Sequence, residues 1–389
     1  MGFDNLSGRA MRESQLYFCI ALVLGAAFLL TAYPFTYDQA VSRGFSDVID
    51  YMTVANSTTI ASLADLSLTH AMHRLERWPL HFLMGAISRE VGVDIWNLER
   101  VFVILAMAIT LFLVNSLRAG LWQKLALFTL LIFSPYTFRQ YYAVPGMLSD
   151  CLFYVSIIGL AVGMWSARWR LILISLCCAC FVRQTGVLLL PILAIYCFVE
   201  KVDLKKSLVA MALGLCSFLL SKLAGHLVFT SVPGGYVAMH TLGIFFWIWE
   251  SPQWMDLIDF LGRYSLMLMS LSPILLLANR LSRRDWMYVA FFFFLHTQPL
   301  MAGPAVSGSN VDRLAIYGLP FLALLLLDES NQAKLVGLFI ALIFVESLLP
   351  NFSILHGMAY PRIFFVSVVL LASLISLWIR KDRLGKLAL

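Results

Sequence analysis

Apolar runs of about 20 residues recur along the whole chain, and nothing else in it restricts the fold so strongly. A helix of that length matches the hydrocarbon thickness of a bilayer, whereas membrane barrels show short alternating segments. Charged residues make up 13% of the chain, against about 25% in soluble domains. These features predict an all-α, polytopic transmembrane helical bundle forming one integral membrane domain over 1–389. The predicted spans are 16–34, 99–117, 122–136, 147–165, 170–182, 185–199, 206–230, 257–279, 285–300, 313–327, 333–349 and 361–379, about twelve in all. Residues 35–98 form a long first loop, 99–379 hold the remaining spans, and 380–389 form a tail. No small-residue cleavage site follows the first span, so it reads as a retained signal anchor.

Charge sets the orientation. With the N-terminus in the cytoplasm, the inner loops and tail carry Arg118, Lys124, Arg168, Arg170, Lys201, Lys205, Lys206, Arg280, Arg283, Arg284, Lys334, Arg380, Lys381, Arg383 and Lys386. This is the positive-inside pattern, and an even number of spans puts both termini in the cytoplasm. The opposite face carries Arg43, Arg74, Arg77, Arg89, Arg100, Arg139, Arg183, Arg263, Arg313 and Arg362, with no lysine. A guanidinium is a planar, permanently charged fork suited to phosphate. An arginine-only outer face therefore points to recognition of phosphate or pyrophosphate at the outer leaflet. The plainer reading is that some of these arginines pair with outer acids such as Asp65, Glu76 and Glu99.

The net charge of +6 is scattered between spans and does not point to nucleic acid. All seven cysteines lie in or beside apolar spans. Cys177, Cys178 and Cys180 sit in an apolar helix with no histidine at ligand spacing, so small packing residues are the better reading and no metal site is assigned.

The polar segment from Tyr33 to Pro79 is the first place for chemistry. Loops longer than about 12–15 residues are functional or disordered, and this one holds too many apolar residues for disorder. Stretches 40–55 and 58–73 have helical spacing and read as amphipathic interfacial helices. Asp47 and Tyr51 are one helical turn apart and share a face. Asp47 is the leading general base, with Asp38 and Asp50 as alternatives; each could equally solvate an interfacial helix. In the run His73–Pro79, Arg77 is a phosphate or sugar contact, Trp78 an interfacial anchor, and Pro79 the first turn of a helix.

Later polar breaks add further candidates. Arg139 lies among Tyr136, Phe138, Tyr141 and Tyr142, which suits a sugar phosphate and equally an aromatic belt. Asp150 heads the fourth span, where it could also complement the helix dipole. Arg183 and Gln184 interrupt some thirty otherwise apolar residues, and a charge there is costly enough to be functional by default. Asn310 and Arg313 stand at the head of the tenth span, where a helix N-terminus and a guanidinium make an anion site. Lys222 and Glu346 lie within spans and receive no role.

These segments resemble the polytopic membrane glycosyltransferases of the GT-C class. The acidic motif Asp-x-x-x-Tyr in their first outer loop is similar to Asp47-Val48-Ile49-Asp50-Tyr51. The run Arg74–Pro79, the head Ser149-Asp150-Cys151-Leu152-Phe153 and the turn Phe181–Gly186 resemble later family segments, as does Asn310-Val311-Asp312-Arg313-Leu314 with Tyr317 and Pro320. Asp47 lacks the flanking tryptophan and glycine of the mannosyltransferase form, so no sugar follows from the likeness.

The resemblance implies an inverting hexosyl- or pentosyltransferase that takes its sugar from a polyprenyl-phosphate lipid. The acceptor is a glycan, lipid or protein on the extracytoplasmic face. Asp47 would act as base, with Tyr51, Arg77, Arg139, Asp150, Arg183, Gln184, Asn310 and Arg313 binding substrate. The residues assign no cofactor and leave room for a divalent metal. A bacterial inner membrane is the preferred location. The alternatives are a transporter or flippase of lipid-linked glycans, which needs polar groups through the membrane depth, and a polysaccharide polymerase of similar layout.

Overall fold

A computed structural model of the chain describes residues 3–32, 34–42, 45, 47–64, 77–134, 137–228, 258, 260–262, 264, 281–307 and 311–327. Among these residues every regular element is helical. The helices are α1 (Phe3–Thr31), α2 (Tyr37–Ser42), α3 (Asp47–Asn56), α4 (Ile60–Ala64), α5 (Trp78–Val91), α6 (Ile95–Asn115), α7 (Leu121–Phe133) and α8 (Phe138–Ala143). They continue with α9 (Leu148–Trp165), α10 (Trp169–Val182), α11 (Leu189–Val199), α12 (Leu204–Val228), α13 (Arg283–His296), α14 (Gln298–Ser307), α15 (Val311–Ala315) and α16 (Leu319–Ala323). Short 3-10 turns at Pro145–Met147 and Gln184–Leu188 introduce α9 and α11.

The chain is a multi-span, all-α membrane protein. Among the described residues four segments are long and apolar enough to cross a bilayer: Arg12–Leu29, Ile95–Asn115, Pro145–Trp165 and Leu204–Gly225. Shorter apolar helices occupy Leu121–Phe133, Trp169–Val182, Gln184–Val199 and Arg313–Leu327. The predicted spans 333–349 and 361–379, most of 257–279, and the residues 231–256 before it lie outside the described residues.

The helices form two compact units, one comprising 1–31, 114–136 and 241–389, the other 32–113 and 137–240. In the first unit α1 packs on α7 through edge-to-face pairs, Tyr17 with Phe128 and Phe28 with Phe133. Helix α13 starts on a capping box, with the Asp285 N–H donating to Ser282 Oγ and the Ser282 N–H to the Asp285 carboxylate. Its Phe291 packs edge-on against Phe321 of α16.

The second unit is built around α9. The segment Pro145–Trp165 is 94% buried, against 39% for Ile95–Asn115 and 22% for Leu204–Gly225. A helix apolar on every side can be covered all round by protein, and α10 and the short helices supply that cover here. Whatever α9 carries at its head is therefore held inside the unit.

The first loop differs from its predicted form. The stretch 40–55 is two helices, α2 ending at Ser42 and α3 starting at Asp47. Among its described side chains, helix α3 leaves only the stripe Ile49, Thr53 and Asn56 uncovered. Val48, Asp50, Tyr51, Met52, Val54 and Ala55 are all buried, and Ile49 is 39% exposed. The reason is α5, which packs directly on α3. A Cβ on Gly85 would stand 1.8 Å from the Ala55 carbonyl oxygen, so the two backbones touch there. Trp78 is buried. It packs with Val54, Leu63 and Val228, and its Nε1–H donates to the Ala224 carbonyl at 3.2 Å. Pro79 occupies the first turn of α5, as predicted.

Candidate functional site

Four separate polar breaks in the sequence deliver side chains to one place in the second unit. Tyr51 comes from the middle of α3 and is buried on that helix. Arg77 is the residue immediately before α5, where Pro79 starts the helix without needing a hydrogen-bond donor. Asp150 lies in the first turn of α9, and the preceding Pro145–Met147 turn packs against α3.

Arg183 is set by a tight reversal. It ends α10 in an extended conformation (φ −147°, ψ 139°), its N–H still bonded to the Ala179 carbonyl. The chain then turns back so closely that a Cβ on Gly186 would fall 2.4 Å from the Ala179 oxygen and 2.5 Å from Cys180 Cα. Only glycine fits that approach. The Cys180 thiol contacts the Gly186 carbonyl in the same turn, a packing role for one of the clustered cysteines.

At the centre, Arg183 Nη1 donates to Asp150 Oδ1 in a charge-assisted bond. Arg77 Nη1 lies 3.5 Å from the same oxygen and donates to the Tyr51 hydroxyl at 2.6 Å. The Arg183 guanidinium also stands 5.7 Å over the Phe153 ring. All four side chains are buried. Two cations and a carboxylate in a dry interior bear a large desolvation penalty, recovered only through close pairing. The dipole of α9 favours an acid at Asp150, and the structure gives that acid two guanidiniums as well.

Two further residues complete the cluster. The His81 ring stacks on Tyr51, with centroids 4.2 Å apart and planes 15° apart. Its Nδ1 lies 3.2 Å from Glu99 Oε1 on α6, and both residues are fully buried. Glu99 thus pairs with histidine rather than with an outer arginine. His81 did not stand out in the sequence, and Glu99 was marked only as a partner for an outer arginine. The available signals were a histidine inside the apolar run after Pro79 and an acid at the start of a spanning helix.

The remaining candidates are distributed as follows. Asp47 opens α3 one turn before Tyr51; its side chain is outside the described set. Asp50 is buried on α3, and Asp38 is exposed in the first turn of α2. Gln184 follows Arg183 and is half-buried. Arg139 is half-buried on α8, where desolvation draws its pKa below the usual guanidinium range, and it is not brought to Asp150. Of its aromatic neighbours, Phe138 and Tyr141 are fully buried and pack around Tyr154, Tyr142 is half-buried, and Tyr136 lies outside the described residues. Arg313 is buried on α15 in the first unit, and Asn310 lies outside the described residues. Among the described residues no group of three or more His, Cys, Asp or Glu is arranged to hold a metal.

No family model, curated protein or solved structure matches the chain.

Proposed function

We propose that the protein is a membrane glycosyltransferase that transfers a sugar from a polyprenyl-phosphate donor to a glycan, lipid or protein acceptor on the extracytoplasmic face. The observation that carries this reading is the convergence of Tyr51, Arg77, Asp150 and Arg183. Each was picked out separately as a substrate contact, and together they concentrate guanidinium groups where little water enters. Preorganised charge of this kind is usually the largest contribution to catalysis. In this reading Arg77 and Arg183 exchange part of their hold on Asp150 for the lipid phosphate, and Gln184 and Arg139 of the same unit add to the substrate surface.

Asp47 acts as the base. It takes the proton of the acceptor hydroxyl as that oxygen bonds to the anomeric carbon. The bond from the anomeric carbon to the phosphate oxygen breaks, its electron pair leaves with the polyprenyl phosphate, and the configuration inverts. The helix register supports this choice. Ala55 meets Gly85, and one turn earlier Tyr51 meets His81; we extend the same register one turn further, to Asp47 and Arg77. The protein then spans the membrane about twelve times, with both termini cytoplasmic, in a bacterial inner membrane.

The test is sugar transfer from a polyprenyl phosphate in membranes containing the protein. Asp47→Asn is expected to slow transfer by about 10²–10⁴, and Arg183→Lys to lose most activity because the fork geometry is gone. Near wild-type transfer by Asp47→Asn removes Asp47 as the base. Absence of transfer by the wild-type protein sinks the reading itself.

A further inference from the structure

One pair of buried titratable residues beside the cluster takes no part in that transfer. His81 and Glu99 are both fully buried. His81 Nε2 and Glu99 Oε2 have no hydrogen-bond partner among the described residues. Burying an imidazole and a carboxyl with half their polar atoms unsatisfied is costly, and apolar side chains would fill the same volume more cheaply. Packing alone therefore does not account for the pair. Its contacts do. Glu99 meets the Nδ1 edge of His81, the His81 face lies on the Tyr51 ring, the Tyr51 hydroxyl accepts from Arg77, and Arg77 reaches Asp150. These links form one continuous chain from α6 to the head of α9.

We propose that Glu99 and His81 are positioning residues for anion recognition by Arg77. Glu99 fixes the rotation of the imidazole, the imidazole face fixes the plane of the Tyr51 ring, and the Tyr51 hydroxyl aims the Arg77 guanidinium at a phosphate monoester. A phenylalanine at position 81 could stack on Tyr51, but Glu99 could not lock its rotation. Positioning partners of this kind act through the group that they orient, and their loss typically costs about 10–100-fold in affinity or activity at metal sites. The ligand rests on the glycosyltransferase reading; the chain of contacts does not.

The experiment has two arms, both on the full-length protein in lipid nanodiscs. The first compares melting midpoints in a double-mutant cycle. His81→Phe keeps a ring and loses the bond to Glu99, and Arg77→Gln removes the charge. Their effects are expected to be non-additive while Tyr51 is present. In a Tyr51→Phe background, which keeps the ring and removes the hydroxyl, they are expected to add. Additive effects with Tyr51 present overturn the proposal. So does coupling that survives Tyr51→Phe, since it would come from direct contact along α5. The second arm measures binding of a short polyprenyl monophosphate. The Kd is expected to rise roughly tenfold in His81→Phe and Glu99→Ala, with Glu99→Gln close to wild type because it still offers an acceptor to Nδ1. An unchanged Kd in His81→Phe overturns the aiming role. If the wild type binds no polyprenyl monophosphate, the donor assignment fails while the melting cycle still decides the positioning chain.

Discussion

At the scale of residues, Asp150 is the common partner in the described cluster: Arg183 donates to it and Arg77 lies 3.5 Å away. Removing one member of a buried ion pair leaves charge in a medium that solvates it poorly, which costs about 3–5 kcal/mol. Asp150→Ala is therefore expected to destabilise the protein by that amount, read as a lower unfolding midpoint in detergent. Asp38→Ala, on the exposed surface of α2, is expected to leave the midpoint unchanged. Composition and position marked Tyr51, Arg77, Asp150 and Arg183 one by one, because a charge between apolar helices is conspicuous. Their pairing was not legible, since the members lie in contact across separations of 33 residues for Arg183 with Asp150 and 26 for Arg77 with Tyr51. Glu99 shows the same limit. Its sequence neighbours made an arginine the natural partner, and the approach of α5 to α6 gives it His81 instead.

At the scale of elements, glycines decide how near the polar side chains come. The reversal after α10 has no room for a Cβ at Gly186, because the atoms it would meet belong to the backbone and cannot rotate away. Gly186→Ala is expected to open the turn, costing about 1–3 kcal/mol and withdrawing Arg183 from Asp150. Measured transfer should fall with Gly186→Ala as it does with Arg183→Ala, while Gly25→Ala, with open space around its Cβ, should change neither stability nor transfer. The helices themselves were largely legible. Leu121–Phe133, Trp169–Val182 and Arg283–His296 fall where apolar runs predicted spans. Helix α3 was legible as a helix with one buried face, but not how much of it would be covered. Periodicity identifies an apolar stripe, but α3 is covered on several sides by α5 and the Pro145–Met147 turn, which buries Asp50 and Tyr51 along with Val48.

At the scale of the whole molecule, the charge asymmetry between loops makes a topological prediction. With all native cysteines replaced, Glu90→Cys, on the exposed end of α5, should react with a membrane-impermeant maleimide from outside intact cells. Lys205→Cys, exposed in the first turn of α12, should react only after the membrane is opened. Reaction of Lys205→Cys in intact cells would invert the orientation and put the cluster on the cytoplasmic side, where a donor at the outer leaflet could not reach it.

What the sequence by itself determined is the solvent. Recurrent apolar runs commit the backbone to helices, because every N–H and C=O inside a bilayer must find a partner within its own segment. It also marked the positions where charge breaks those runs. What only the tertiary structure decided is which of those charges meet. Arg77 and Arg183 share Asp150, Tyr51 joins them through its hydroxyl, and His81 is turned to Glu99. Desolvation supplies the physical reason: a buried charge is tolerated only beside a partner, and its partner is fixed by how closely α3, α5, α9 and α10 approach one another.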